Sequence, residues 1–152
     1  EKLNNNDILN SQENIYIESM SGYKCKISFT NIDDLQELLL DKAINQVIIS
    51  FQIDNNLMTN EIIPHSQLHL ARLDSDGNII DLTDYVIEGS SFFGGRLENG
   101  IYNFNITRYL HELLSDNSYT NKLYLLDRLA NSNANRSIIT KEVELNIIYS
   151  DL

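Results

Sequence analysis

GGRLENGIYNFNITRYL, residues 94–110, places a strand, a turn, a second strand and the start of a helix in that order. In the second half of the stretch, aromatic and aliphatic residues alternate with asparagines, and this period of two is typical of a half-buried strand. Asn99 and Gly100 supply the two positive-φ residues of a type I′ turn, which predicts a hairpin. A hairpin whose second strand leads directly into a helix is a building block of β-sandwiches.

Two short helices are expected. Apolar residues recur at helical spacing after this hairpin, and Thr107 is placed to cap a helix near residues 108–115. The other helix is expected near residues 32–41, with Asn31 as its cap and Lys42 favouring its C-terminal end.

The rest of the chain alternates between strand patterns and turn signals. The clearest strand carries Val47, Ile49, Phe51 and Ile53 on one face. Eight or nine such strands predict a mainly β fold, an antiparallel jelly-roll-like β-sandwich with two short helices. Residues 1–12 are expected to form a linker or flexible arm, and residues 13–152 a single β-sandwich domain.

The net charge of the chain and the length of its apolar runs argue against several function classes. The chain has 152 residues and a formal net charge of −11, with its basic residues scattered, which argues against nucleic-acid binding. No apolar run reaches the roughly 18 residues of a membrane helix. Because the chain starts at Glu1 without a signal peptide, we expect an excised domain or processed fragment, with any targeting segment upstream.

The single cysteine is expected to be structural. Cys25 has no second cysteine with which to form an intrachain disulfide. It shares a strand face with Ile27 and Phe29, so the sequence predicts a buried, unreactive thiol.

Six segments of the chain carry a family resemblance: residues 16–29, 43–47, 70–77, 93–95, 102–110 and 143–149. In this order, they resemble the C-terminal part of a family of Bacteroidota lipoproteins catalogued as domain of unknown function 4270. The chain departs from that family's pattern at Thr30, where a proline is common, and at residues 18–20, where small residues are usual. The resemblance implies an extracytoplasmic protein, tethered to the outer membrane by an upstream lipid anchor. It implies no catalytic residues.

Two segments contain residue types that occur in ion-binding loops. Asp74, Asp76 and Asn78 resemble the opening of a calcium loop, but the twelfth position lacks the bidentate glutamate of an EF-hand. A hairpin turn is the favoured interpretation, with a non-EF calcium site as the open alternative. Gly94 and Gly95 lack the lysine and helix of a phosphate loop, and they predict a bulge or tight turn.

The histidines do not form a predicted metal pair. His65 and His69 are four residues apart, and the alternation around them indicates a strand rather than a helix. At about 3.3 Å per residue they would be roughly 13 Å apart, too far to share one ion.

These observations favour a non-enzymatic binding or adhesion module of the cell envelope, with a protein as the expected partner and no cofactor beyond a possible calcium ion. The first alternative is a carbohydrate-binding module that stacks sugars on exposed aromatic rings. The second is a glycan-active enzyme with paired carboxylates. No catalytic residue is predicted. The aromatic residues expected to be exposed are Tyr16, Tyr23, Tyr85, Phe92 and Phe93.

Overall fold

The computed structural model describes residues 14–19, 24–116, 118–129 and 134–152. Strands make up 47% and helices 21%, so the prediction of a mainly β fold is confirmed. The strands form two antiparallel sheets, one of which is a half-barrel. The predicted flexible arm lies outside the described residues.

Nine strands are present in the described part of the chain. The larger sheet has the strand order β1-β9-β3-β7-β6, and the smaller has the order β2-β8-β4-β5. The bounds are β1 (Ile15–Glu18), β2 (Cys25–Ser28), β3 (Lys42–Ile53), β4 (His69–Leu73), β5 (Ile79–Asp81), β6 (Gly94–Glu98), β7 (Ile101–Asn105), β8 (Lys122–Leu126) and β9 (Arg136–Asp151).

Two long strands form the centre of the larger sheet. β3 pairs with β9 from Lys42 opposite Asp151 to Ile53 opposite Ile139, with two register shifts along the way. The face that alternation predicted, from Val47 to Ile53, is buried. Side chains of both sheets meet in one apolar core, so burial of these faces is what holds the sheets together.

The predicted hairpin between β6 and β7 is confirmed. Asn99 and Gly100 both have positive φ, at 51° and 78°. The predicted irregularity before it is a β-bulge, because the pairing register shifts between Gly94 and Leu97. At Gly95, a Cβ atom would lie 2.4 Å from the Leu68 carbonyl oxygen and 2.6 Å from the Phe104 ring, so the backbone approach requires glycine.

The described residues contain three helices rather than the two predicted: α1 (Ile32–Leu38), α2 (Thr83–Phe93) and α3 (Thr107–Ser115). Local signals for α2 are weak, because Gly89 interrupts it with non-helical backbone and its apolar residues include β-branched ones. Packing against α3, β6 and β7 stabilises it instead.

The predicted helix caps were only partly right. Asn31 is the N-cap residue of α1, but its backbone is left-handed and its side chain makes no capping hydrogen bond. Lys42 belongs to β3 and pairs with Asp151. Thr107 is the first residue of α3, not its cap. The amides of Arg108 and Tyr109 in the first turn of α3 instead donate to the buried carboxylate of Asp84 on α2, at 2.7 and 2.9 Å.

Cys25 is half-buried and packs against the core. Burial raises the pKa of its thiol to about 11, so the thiol is protonated at neutral pH. This agrees with the predicted unreactive cysteine.

Candidate functional site

A polar groove of about 400 Å³ lies beside β4 and α2. This volume falls in the range of small-molecule sites. Four separate parts of the chain form it, so it exists only in the folded protein. The residues that line it are His65, Ser66, Gln67, Leu68, His69, Tyr85, Ser90, Asp127, Arg128, Leu129 and Asn135.

A buried hydrogen-bonded network lies under one end of the groove and centres on His65. The Nε2 atom of His65 lies 2.9 Å from Ser19 Oγ, and its Nδ1 atom lies 2.8 Å from Ser137 Oγ. Ser19 Oγ donates to Asp127 Oδ2 over 2.7 Å. The Tyr102 hydroxyl donates to the His65 carbonyl oxygen over 2.7 Å. We define these five residues as the His65 network.

Two of these contacts determine where a neutral His65 ring carries its proton. Because the Ser19 hydroxyl donates to the Asp127 carboxylate, it accepts a hydrogen bond from His65 Nε2, which therefore carries the ring proton. Nδ1 then accepts from the Ser137 hydroxyl. Burial lowers the pKa of His65, against the opposing charge of Asp127, which agrees with a neutral ring.

This arrangement positions Asp127 rather than activating Ser19. A serine nucleophile would donate its proton to the imidazole, whereas the Ser19 proton faces a carboxylate, and the residue is only 2% exposed. The other carboxylate oxygen, Asp127 Oδ1, accepts from the Leu129 amide at 2.8 Å. Both carboxylate oxygens at the groove floor thus already bind protein donors.

A second histidine forms the wall of the groove. His69 Nε2 lies 2.8 Å from Asp81 Oδ1, and the ring packs edge-on against Tyr85 with a centroid distance of 4.9 Å. Burial lowers the pKa of His69, partly opposed by the hydrogen bond to Asp81. Through His69, these contacts connect β4, β5 and α2 at this wall of the groove.

Arg128 lies at the mouth of the groove. Its guanidinium lies 5.1 Å from the centre of the Tyr85 ring and 3.6 Å from Asp81 Oδ2, a distance longer than a hydrogen bond. Within the described residues, Arg128 donates no side-chain hydrogen bond. Its side chain is 47% exposed, so its donors are available to a ligand.

An apolar surface adjoins this groove. Ile79 on β5 and Val86 on α2 line a second depression, which shares His69 and Arg128 with the groove. Two more apolar residues of α2, Ile87 and Phe92, are 58% and 71% exposed. We call Ile79, Val86, Ile87 and Phe92 the α2 surface.

The predicted aromatic set is only partly exposed, and the structure does not assemble it into one platform. Tyr16 and Phe92 are exposed, whereas Tyr85 is half-buried with Arg128 over its ring. The prediction that Phe93 is exposed was wrong, because it is 1% exposed and packs against Phe104 in the core. Tyr23 lies outside the described residues.

The segment predicted as a turn or calcium loop connects β4 and β5. Asp74 Oδ1 accepts from the backbone amides of Asp76 and Asn78, and Gly77 has a φ of 84°. The side-chain amide of Asn78 also donates to Asp74 Oδ2, at 3.0 Å, and this hydrogen bond together with the backbone ones lowers the pKa of Asp74 and orders the turn. Among the described residues, no group of three or more His, Cys, Asp or Glu side chains is placed to hold a metal ion.

Sequence reasoning singled out neither Asp127 nor Arg128. They follow β8 directly in the sequence, without a motif that marks them. Of the lining residues, the sequence singled out only His65 and His69, whose spacing argued against a shared metal ion, and Tyr85, which was expected to be exposed.

No helix in the described part of the chain is long and apolar enough to span a membrane. No protein-family model matches the chain, and no curated protein or solved structure matches it significantly.

Proposed function

We propose that this chain is a non-enzymatic binding module that docks a protein partner on the α2 surface. The observation that carries the proposal is the exposure of the four apolar side chains of this surface, between 45% and 71% each. Ile79 and Val86 line one depression, and exposed apolar side chains placed together in this way are typical of protein-interaction sites.

The position of the α2 surface in the fold supports docking. β5 is the edge strand of the smaller sheet and only three residues long, and α2 follows it after one residue. Arg128 and Asp81 border the Ile79–Val86 depression, which gives the apolar centre a charged rim. A central apolar patch with a polar rim is the usual anatomy of an interface.

We also propose that the protein is extracytoplasmic and that its fold is a jelly-roll-like sandwich. The sequence resemblance supports an extracytoplasmic domain of an outer-membrane lipoprotein. The packing of two antiparallel sheets supports a jelly-roll-like sandwich.

Site-specific photo-cross-linking tests the docking proposal. A cross-linking residue is placed at position 87 of the intact protein in its native cells, and at position 148 as a matched control. Ile87 and Ile148 are both exposed isoleucines, at 58% and 55%, but Ile148 lies on β9 in the other sheet. We expect one defined polypeptide to cross-link from position 87 and not from position 148.

The substitution Val86→Glu places a charge within the apolar surface and should suppress that cross-link. Equal cross-linking from both positions, or a product that contains only a second copy of this chain, would contradict docking of a different protein.

Glycan binding is the second candidate, and the exposed rings of Tyr16 and Phe92 favour it. A glycan array probed with and without calcium tests it, and no signal in either condition would remove it. The groove offers less support to the paired-carboxylate enzyme, because Asp127 is the one acidic side chain among its described lining residues.

A further inference from the structure

We propose that the groove binds a carboxylate group, held by Arg128 with Arg96 at the rim. This site is distinct from the apolar docking surface and does not rest on it. The ligand class is a small carboxylate-bearing molecule or an acidic side chain, of the size that a groove of about 400 Å³ accepts.

The first argument is the imbalance between available donors and acceptors. The polar atoms of Asp127 and His65 already have protein partners, because each carboxylate oxygen of Asp127 accepts one hydrogen bond and each ring nitrogen of His65 contacts a serine hydroxyl. The donors of Arg128 are not occupied within the described residues. A ligand rich in acceptors therefore complements the groove better than one rich in donors.

The geometry of Arg128 supports a carboxylate in particular. A guanidinium presents parallel N–H groups that match the two oxygens of a carboxylate. Stacking on Tyr85 restricts the plane of the guanidinium, so less conformational entropy is lost when a ligand binds.

A second arginine lies beside the groove. Gln67 lines the groove and forms an isolated antiparallel bridge with Arg96, so their side chains leave the same face of the paired backbone. Arg96 is exposed, and no ion pair engages it among the residues that the structure describes. Arg128 thus lines the groove and Arg96 lies on the strand next to its lining residue Gln67, in a chain whose net charge is −11.

The surrounding charges set a condition on binding. Asp81 lies 3.6 Å from Arg128 and opposes an incoming anion. Diffuse attraction is also unfavourable for so acidic a chain, but charges beyond about 8 Å are screened at physiological salt. Affinity must therefore come from direct hydrogen bonds to Arg128, which makes that residue decisive in a test.

Titration of the full ¹⁵N-labelled chain, followed by NMR, tests the proposal with three probes. The probes are glucuronate as an acidic sugar, N-acetylglutamate amide as an acidic side chain, and glucose as the neutral control. We expect at least one acidic probe to shift the backbone amides of Gln67, Ser90 and Leu129, and glucose to leave them unchanged.

The two acidic probes distinguish the sources of the carboxylate, and binding of either supports the site. Equal shifts with glucose, or no shift with either acid, would overturn the proposal.

Substitutions separate the site from general effects of charge. Arg128→Gln should weaken binding by about tenfold or more, because hydrogen bonds between charged groups are lost. Arg96→Gln should weaken it less. Arg108→Gln is the matched control, since Arg108 is similarly exposed but pairs with Glu88 on α2. Undiminished binding in Arg128→Gln, with a folded spectrum, would equally overturn the proposal.

Discussion

The His65 network and the groove mouth at Arg128 lie next to each other, yet they use hydrogen bonds in opposite ways. In the network, each ring nitrogen of His65 has one partner within 2.9 Å, and Ser19 and Ser137 are buried. At the mouth, Arg128 is half-exposed, and its nearest carboxylate oxygen is 3.6 Å away.

The difference separates a structural polar cluster from a candidate binding site. Buried polar groups cost free energy unless they are paired, so the network must be complete for the fold to be stable. An exposed guanidinium remains hydrated and needs no protein partner, and a surface ion pair contributes little. Damage to the network should therefore reduce stability, whereas changes at the mouth should affect only binding.

The largest expected effect comes from Gly95, whose strand holds residues 65–69 beside both regions. Leu68 N donates to Gly95 O, and Leu97 N donates to Ser66 O, so Gly95 holds the 65–69 segment against β6. In Gly95→Ala the new Cβ would collide with the Leu68 carbonyl oxygen and the Phe104 ring. We expect a loss of about 3 kcal/mol in unfolding free energy, measured by urea denaturation.

Gly77→Ala is the control for backbone strain alone. Gly77 also has positive φ, but open space surrounds the position of its Cβ. Its cost should be about 1 kcal/mol. Equal losses in the two variants would show that backbone strain, and not the close packing around Gly95, determines the loss of stability.

The next effect compares the two regions directly. Ser137→Ala removes the hydroxyl that contacts the His65 amide and ring and the Tyr102 hydroxyl, so buried groups lose their partner. We expect a loss of about 2 kcal/mol in unfolding free energy. Arg128→Gln should change it by less than about 0.5 kcal/mol. Similar values for the two variants would contradict the distinction between the regions.

Much of the fold could be predicted because its signals are local. The alternation of β3, the Asn99-Gly100 turn and the helical spacing of α3 are each visible within a few residues. α2 was missed because its stability comes from contacts with β6, β7 and α3. The cap of α3 was assigned to Thr107 for a similar reason, since the true partner, Asp84, is distant in sequence.

The candidate site was less predictable than the fold. His65, Tyr85 and Arg128 come from three separate segments, and only the pairing of β4 with β5 and β8 brings them to one groove. Strand alternation indicates which face a residue occupies, but it does not indicate the partner of a polar group across the fold. Phe93 shows the same limit, because it was assigned to the surface and lies in the core.

The smallest expected effect is a loss of stability in mild acid. Burial lowers the pKa of His65 and His69 in the folded protein, while an unfolded histidine titrates near 6.5. As pH falls, the unfolded chain binds protons first. The contribution of these residues is therefore present above pH 6.5 and is lost as pH falls from there towards the folded-state pKa values.

Urea denaturation at pH 7 and pH 6 measures this loss, which should stay below about 0.7 kcal/mol for each histidine. His69→Gln removes one of the two contributions, and its amide can still donate to Asp81, so this variant should lose less stability than the wild type between the two pH values. An increase in wild-type stability at pH 6 would mean that the folded protein binds a proton more readily than the unfolded chain. The hydrogen bonds alone do not decide this, because a protonated Nδ1 could donate to Ser137 Oγ while the Ser137 hydroxyl turned to the Tyr102 oxygen 2.8 Å away. Burial is what lowers the pKa of His65, so burial is the physical reason for the expected loss of stability in acid.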